Sequence, residues 1–195
     1  MTYDWRLRST SYRQTVAPTA YPVTVSEAKQ HLRVDHDDED YRIQRLIASA
    51  TDVAEQYLKA PLMTQTWVQQ MSAFRYRYVE LEVYPVQSIT SVTYIDPNDV
   101  EQTLSTDVYD LDIGQNPSFL YLKHDQSWPS VRGVHNDVTI TMVCGWTTPP
   151  PAVIEAIMLM IGDGYEHREE TVLGTIVAKR GAVASLLNKY RNPKL

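Results

Sequence analysis

The period of the apolar residues changes twice along this chain, and that limits the fold more than any motif does. From 24 to 60 apolar side chains recur every three or four positions. From 64 to 146 they recur every second position, and after 148 the longer period returns. A face repeating at 3.6 residues belongs to a helix, and one repeating at two belongs to a strand. The expected class is α+β: a helical bundle formed by N- and C-terminal helices, with an antiparallel β insert in the middle. The expected boundaries are an N-terminal arm at 1–21, a helical domain at 22–62 and 148–195, and the β insert at 63–147.

Local chemistry supports each part. Thr24-Val25-Ser26-Glu27 fits a capping box, which predicts a short helix running to about Val34. The acidic run from Asp35 to Asp40 resembles a calcium loop only in charge. Position six lacks glycine, and position twelve, Leu46, is not a glutamate. It reads better as the start of a second helix, where carboxylates meet the positive dipole end. That helix carries Ile43, Leu46, Ile47, Ala50, Val53, Ala54, Tyr57 and Leu58 on one stripe, and Pro61 closes it.

In the middle region Val79, Leu81 and Val83 alternate with polar or aromatic residues. So do Tyr109, Leu111 and Ile113, and also Val138, Ile140, Met142 and Cys144. Each pattern describes a strand with one buried face. Asp96 to Asp99 and Gly114 to Pro117 carry turn chemistry. Short connections without helical segments predict an antiparallel sheet of about six strands. Phe74-Arg75-Tyr76-Arg77-Tyr78 mixes bases with aromatics, as a single-strand nucleic-acid platform does, and an exposed hairpin turn has the same pattern.

After Pro149-Pro150-Pro151, the residues Val153 to Ile161 are apolar nearly all round, broken only by Glu155. Such a helix needs enclosure, either by the helices at 24–60 or by other subunits. Ile154, Ile157, Met158 and Ile161 are the candidate oligomer interface. Gly162 and Gly164 permit close approach or a kink. The stretch 171–181 has no clear period, and Val183, Leu186, Leu187 and Tyr190 then return to helical spacing.

Charge is divided along the chain. Residues 171–195 hold five basic side chains and no acid, while 21–170 hold ten basic and 23 acidic residues, a net of −13. The first 20 residues add +2, which leaves −6 overall. An acidic body repels polyanions, and a cationic tail seeks an acidic or carbonyl-rich partner surface. In the arm, Arg6, Arg8 and Arg13 interleave with Tyr3, Trp5 and Tyr12. It reads either as a frayed terminus or as a strand or hook lying on a neighbouring subunit.

A search for chemistry finds none. The five histidines make no His-Glu-x-x-His or Cys-x-x-Cys arrangement, so no metal site is expected. There is no nucleophile elbow, and Gly162-Asp163-Gly164 lacks the rest of a phosphate loop. No catalytic residue and no cofactor is expected. The single cysteine, Cys144, reads as a small core hydrophobe. Residues 1–20 have no apolar signal-peptide core, and the run from Ala152 to Ile161 is too short to span a bilayer. The expectation is a soluble, membrane-free protein made in a reducing cytoplasm.

The order of the parts resembles the tailed-phage head–tail connector, or adaptor, family. The resemblance starts in Thr24 to Val34, Ile43, Leu46, Ile47, Ala50 and Glu55. It continues through Cys144-Gly145-Trp146, Pro149 to Pro151, Ile154-Glu155-Ala156-Ile157 and Tyr165 to Glu169. It ends at Leu186-Leu187-Asn188-Lys189-Tyr190-Arg191. The strand-rich middle looks like the larger members, which carry a β insert. The arm at 1–20 has no counterpart, and Val177 to Gly181 stands where a proline-containing turn is expected.

That resemblance implies a non-enzymatic ring, commonly a dodecamer, under the portal protein in the virion neck of a bacteriophage. It would extend the DNA channel and receive the neck or tail-completion protein. It implies a portal-binding role for the C-terminal segment, here Leu186, Leu187, Lys189, Tyr190 and Arg191. The acidic body suits a channel that DNA crosses without sequence-specific binding. Two rival readings stand beside it. One is a tail-completion or tail-terminator protein. The other is a β-rich carbohydrate-binding module, suggested by Trp67, Trp128, Trp146 and 13 tyrosines.

Overall fold

The computed structural model describes residues 10–167 and 175–192, the backbone alone for 175–180. The chain is α+β, with four helices and two antiparallel sheets. It divides into two units. Met1–Ala17 with Thr64–Trp146 form a strand unit, and Pro18–Met63 with Thr147–Leu195 form a helical unit.

In the helical unit, α1 (Val25–Leu32) begins at the expected capping box. The Glu27 amide donates to the Thr24 hydroxyl at 3.2 Å, and the Thr24 amide donates to the Glu27 carboxylate at 2.8 Å. Arg33, in the left-handed region at φ 59°, ends α1 earlier than Val34. The acidic run has two uses. Lys29 Nζ lies 2.5 Å from Asp37 and 2.8 Å from Asp40, and Asp40 opens α2 (Asp40–Leu58). The N-cap is Glu39, whose side chain makes no cap bond.

Along α2 the buried face holds Ile43, Ile47, Ala50, Thr51, Ala54 and Leu58. Val53, expected on this stripe, is 50% exposed, and Thr51 takes a core position instead. The Thr51 hydroxyl donates to the Ile47 carbonyl at 2.7 Å, which removes the cost of burying it. Lys59 ends the helix in the left-handed region, ahead of Pro61.

The helix α3 (Pro151–Glu166) packs on α1, α2 and α4 (Thr175–Asn188). Its buried stripe is Val153, Ala156, Ile157 and Ile161. Gly164 is where it meets α2: an added Cβ would stand 2.9 Å from Leu46 Cδ2. Arg42 closes the end of α3. Its Nη2 donates to the Tyr165 carbonyl at 2.8 Å, and its guanidinium lies 4.8 Å from the Tyr165 ring centroid. These bonds satisfy carbonyls that a helix end leaves open. The helix α4 starts at Thr175, inside the stretch expected to lack a period. Once nucleated, a helix propagates across a glycine such as Gly181 at a cost of only about 1 kcal/mol.

In the strand unit, β1 (Ser11–Val16), β2 (Gln65–Met71), β8 (Val138–Cys144), β4 (Val86–Ile95) and β5 (Glu101–Thr103) lie side by side in that order. A second sheet has the order β3 (Tyr78–Leu81), β7 (Ser118–Leu122), β6 (Tyr109–Asp112). Seven strands lie in 64–146 against the expected six or so, because short β5 carries no apolar alternation, and exposed β1 adds an eighth outside that region. The segment 11–16, expected in a loose arm, is a strand paired with β2 of its own chain.

The central strand β8 buries Val138, Ile140, Met142 and Cys144 completely, as its alternation predicted. Burial pushes the Cys144 thiol up to about 12, which keeps it protonated and inert. Gln69, also fully buried, ties the two sheets. Its amide donates to the Glu80 carbonyl at 2.8 Å and its oxygen accepts from the Glu82 amide at 2.9 Å.

Asp137 is 2% exposed and pins the loop before β8. It accepts from Arg132 Nη2 at 2.7 Å and from the Val134 amide at 2.6 Å. Burial works to raise its pKa, but the Arg132 bond and the Val134 amide outweigh burial and hold it below the ordinary carboxylate value. A depressed folded pKa contributes stability above the unfolded value, and that stability is lost as pH falls through the folded one. Asp137→Asn is therefore expected to cost about 1–3 kcal/mol at neutral pH and to shrink the acid-induced loss between about pH 5 and pH 2. Urea titrations of both proteins across that window measure it; parallel curves would refute the assignment.

Candidate assembly interface

Two groups of residues come from the sequence as candidates, and the fold places each inside the helical unit. Of the proposed oligomer group, Ile157 and Ile161 are fully buried in their own unit, while Ile154 and Met158 are half-buried. Leu159, which sequence spacing did not single out, is 38% exposed on the same helix. The apolar surface that α3 leaves uncovered in its own unit therefore includes Ile154, Met158, Leu159 and Met160.

The C-terminal group divides in the same way. Leu187 is 1% exposed and belongs to the core. Leu186 and Tyr190 are half-buried, and Lys189 and Arg191 are exposed. The chain beyond α4 is held against α2. Tyr57 donates to Asn188 Oδ1 at 2.6 Å, the Arg191 guanidinium lies 5.6 Å from the Tyr57 ring, and the Asn192 amide donates to the Leu58 carbonyl at 2.8 Å. The exposed cations thus sit on an ordered backbone, with less conformational entropy to lose on binding.

A third surface emerges only in the fold. On the outer face of the three-stranded sheet, register places Tyr78 opposite Tyr121 and Glu80 opposite Phe119. Tyr121 lies opposite Asp110, and Phe119 opposite Asp112. Tyr76 stacks on Tyr78 at 5.8 Å, and Tyr78 meets Phe119 edge-on at 5.6 Å. Tyr76, Tyr78 and Tyr121 are 67%, 43% and 37% exposed, so this is an aromatic surface rather than core. Phe74 is not part of it: it stacks on Trp128 at 4.4 Å, and Trp128 Nε1 donates to the Tyr76 carbonyl. The aromatic run at 74–78 hinted at this face, but its partners on β7 are invisible without register.

No group of metal-ligating side chains gathers among the described residues, and no helix there is long and apolar enough to cross a membrane. A helical unit built from Pro18–Met63 and Thr147–Leu195 and an antiparallel strand unit define an α+β fold.

Comparisons agree with that class. Residues 22–106 match the family described as phage gp6-like head-tail connector protein, and over that stretch the chain carries the connector family's sequence pattern. No curated protein sequence matches. Among solved structures, a chain in "Neck of empty GTA particle computed with C6 symmetry" is 18% identical with a TM-score of 0.75, covering 95% of this chain and 97% of that one. A chain in "Virion of native gene transfer agent (GTA) particle" is also 18% identical at 0.75, covering 94% and 96%. A chain in "Neck of native GTA particle computed with C12 symmetry" is 20% identical at 0.71, covering 95% and 97%. In each case the likeness extends over nearly the whole of both chains.

Proposed function

We propose that this chain is a structural head–tail connector, or adaptor, in the neck of a tailed phage or phage-like particle. The observation that carries the reading is the connector pattern at 22–106 combined with a whole-chain fold likeness to proteins of particle necks. In this reading the helical unit is the connector bundle and the strand unit is an insert between its halves. Copies form a ring below the portal protein and receive a neck or tail-completion protein, and DNA crosses the ring without sequence-specific contacts. The role is non-enzymatic.

The neighbours' cyclic symmetry supports a ring, because a closed ring needs two different patches on one subunit. The helical unit offers the half-exposed stripe of α3. For portal docking, the reading uses Leu186, Lys189, Tyr190 and Arg191 as the contact, with Leu187 holding them in place from the core. A tail-terminator role fits less well, since the connector pattern begins in the paired helices α1 and α2.

Particles assembled without this chain test the proposal. They are expected to hold heads and tails that do not join, with a neck ring missing in electron cryo-microscopy. Complete, infectious or transfer-competent particles made without it would overturn the proposal.

A further inference from the structure

Ring assembly leaves the run Arg75-Tyr76-Arg77-Tyr78 without a role, and the fold puts it at one end of the open face of the three-stranded sheet. Its backbone is held in place. Trp128 Nε1 donates to the Tyr76 carbonyl at 2.7 Å, and the Leu122 amide donates to the Arg77 carbonyl at 2.9 Å. Tyr121 joins the run across the sheet, with its ring centroid 6.0 Å from that of Tyr78. Tyr76, Tyr78 and Tyr121 all expose ring surface there. Rings carried on an ordered backbone lose little conformational entropy when another ring system settles on them.

Charge decides what that ligand is. Arg75 and Arg77 are exposed, and among the described residues their side chains have no ion-pair or hydrogen-bond partner. The carboxylates of the face are all engaged. Asp110, in the row of Tyr78 and Tyr121, lies 3.6 Å from Lys123 Nζ. Glu80 and Asp112 stand in the next row, on either side of Phe119. Asp112 accepts from the Gly114 amide at 2.9 Å and from Gln115 Nε2 at 2.8 Å, and Glu80 has a partner as well. The tyrosine end therefore carries Arg75, Arg77 and Lys123 against one carboxylate, and its two unpaired charges are both positive. Open ring faces beside unpaired guanidinium groups fit a chain that alternates flat π-systems with anions, as a single-stranded nucleic acid does. A duplex keeps its base faces stacked on one another, and a neutral glycan would leave the guanidinium groups unmatched.

We propose that the tyrosine end of this sheet face binds single-stranded nucleic acid. Bases stack on Tyr76, Tyr78 and Tyr121, and phosphates of the strand meet Arg75 and Arg77. Binding of this kind tolerates any sequence, because every base has a π-face.

Fluorescence anisotropy of the full chain with a labelled oligothymidylate of about 12 nucleotides tests this. The single strand is expected to bind at least about tenfold more tightly than a duplex of the same length. Tyr78→Ala with Tyr121→Ala should weaken it about a hundredfold, as the loss of two stacked bases does. Arg75→Gln with Arg77→Gln should reduce the slope of log affinity against log salt by about 1.4, the share of two phosphates. All four side chains are exposed, so circular dichroism should stay the same. Several results would overturn the proposal. One is no binding at about 50 mM salt, where phosphate contacts are strong. Equal affinity for the duplex would reduce the effect to charge alone. Binding of cellohexaose that the tyrosine changes remove and salt leaves untouched would assign the face to neutral glycans. Self-association that the tyrosine changes abolish would assign it to a second copy of the chain.

Discussion

Replacing Leu187 by alanine is expected to lower the stability of the helical unit by about 2–5 kcal/mol, the range for deleting a fully buried leucine. The side chain is 1% exposed near the end of α4, and the backbone just beyond it bonds to Leu58 through Asn192. A cavity there cannot be filled without moving the α4 end off α2. The loss is read as a lower urea midpoint in the transition that reports on the helices. A change under about 0.5 kcal/mol, typical of surface sites, would mean that α4 is not part of the unit's core in solution. The same argument predicts that deleting 182–195 damages the fold as well as any docking. Truncation is therefore a poor probe of the tail's role.

Lys189→Glu combined with Arg191→Glu is the cleaner probe: under the proposed docking it is expected to cost only about 1–2 kcal/mol of stability, for two exposed cation–ring contacts, while removing portal docking. Both side chains are exposed, and each lies over a tyrosine ring of its own unit. Under the proposed docking of these cations to an acidic surface, reversing them places like charges together, which costs several kcal/mol and at least on the order of a hundredfold in affinity. Purified variant should stay folded with a slightly lower melting temperature, yet be absent from the necks of particles assembled with it. Necks filled at the ordinary level would place the portal contact elsewhere on the chain.

Much of the fold was legible because its signals are local. The capping box at Thr24 and Glu27 and the four buried residues of β8 depend on neighbours three residues away or on a two-residue period. The Asp96 turn was legible for the same reason: its carboxylate accepts from the Asn98 and Val100 amides. Residues whose role depends on distant chain were not legible. Thr51 sits in the core because its hydroxyl bonds one turn back, while Val53 faces out although its hydropathy suggested otherwise. Strand β1 has no buried face to announce it, and only the ladder with β2 makes it a strand.

For the candidate surfaces the division is sharper. Composition and order identified the connector-like plan, the charged tail and the apolar α3. They could not separate Leu187 and Ile161, which are core, from Lys189 and Met158, which are not. The aromatic face of the small sheet was equally hidden, because Tyr78 and Tyr121 are remote in sequence and adjacent only through register. Periodicity tells a side chain which face of its own element it occupies, since backbone geometry sets that locally. Whether that face is covered depends on which other elements pack against it, and only the tertiary structure supplies those contacts.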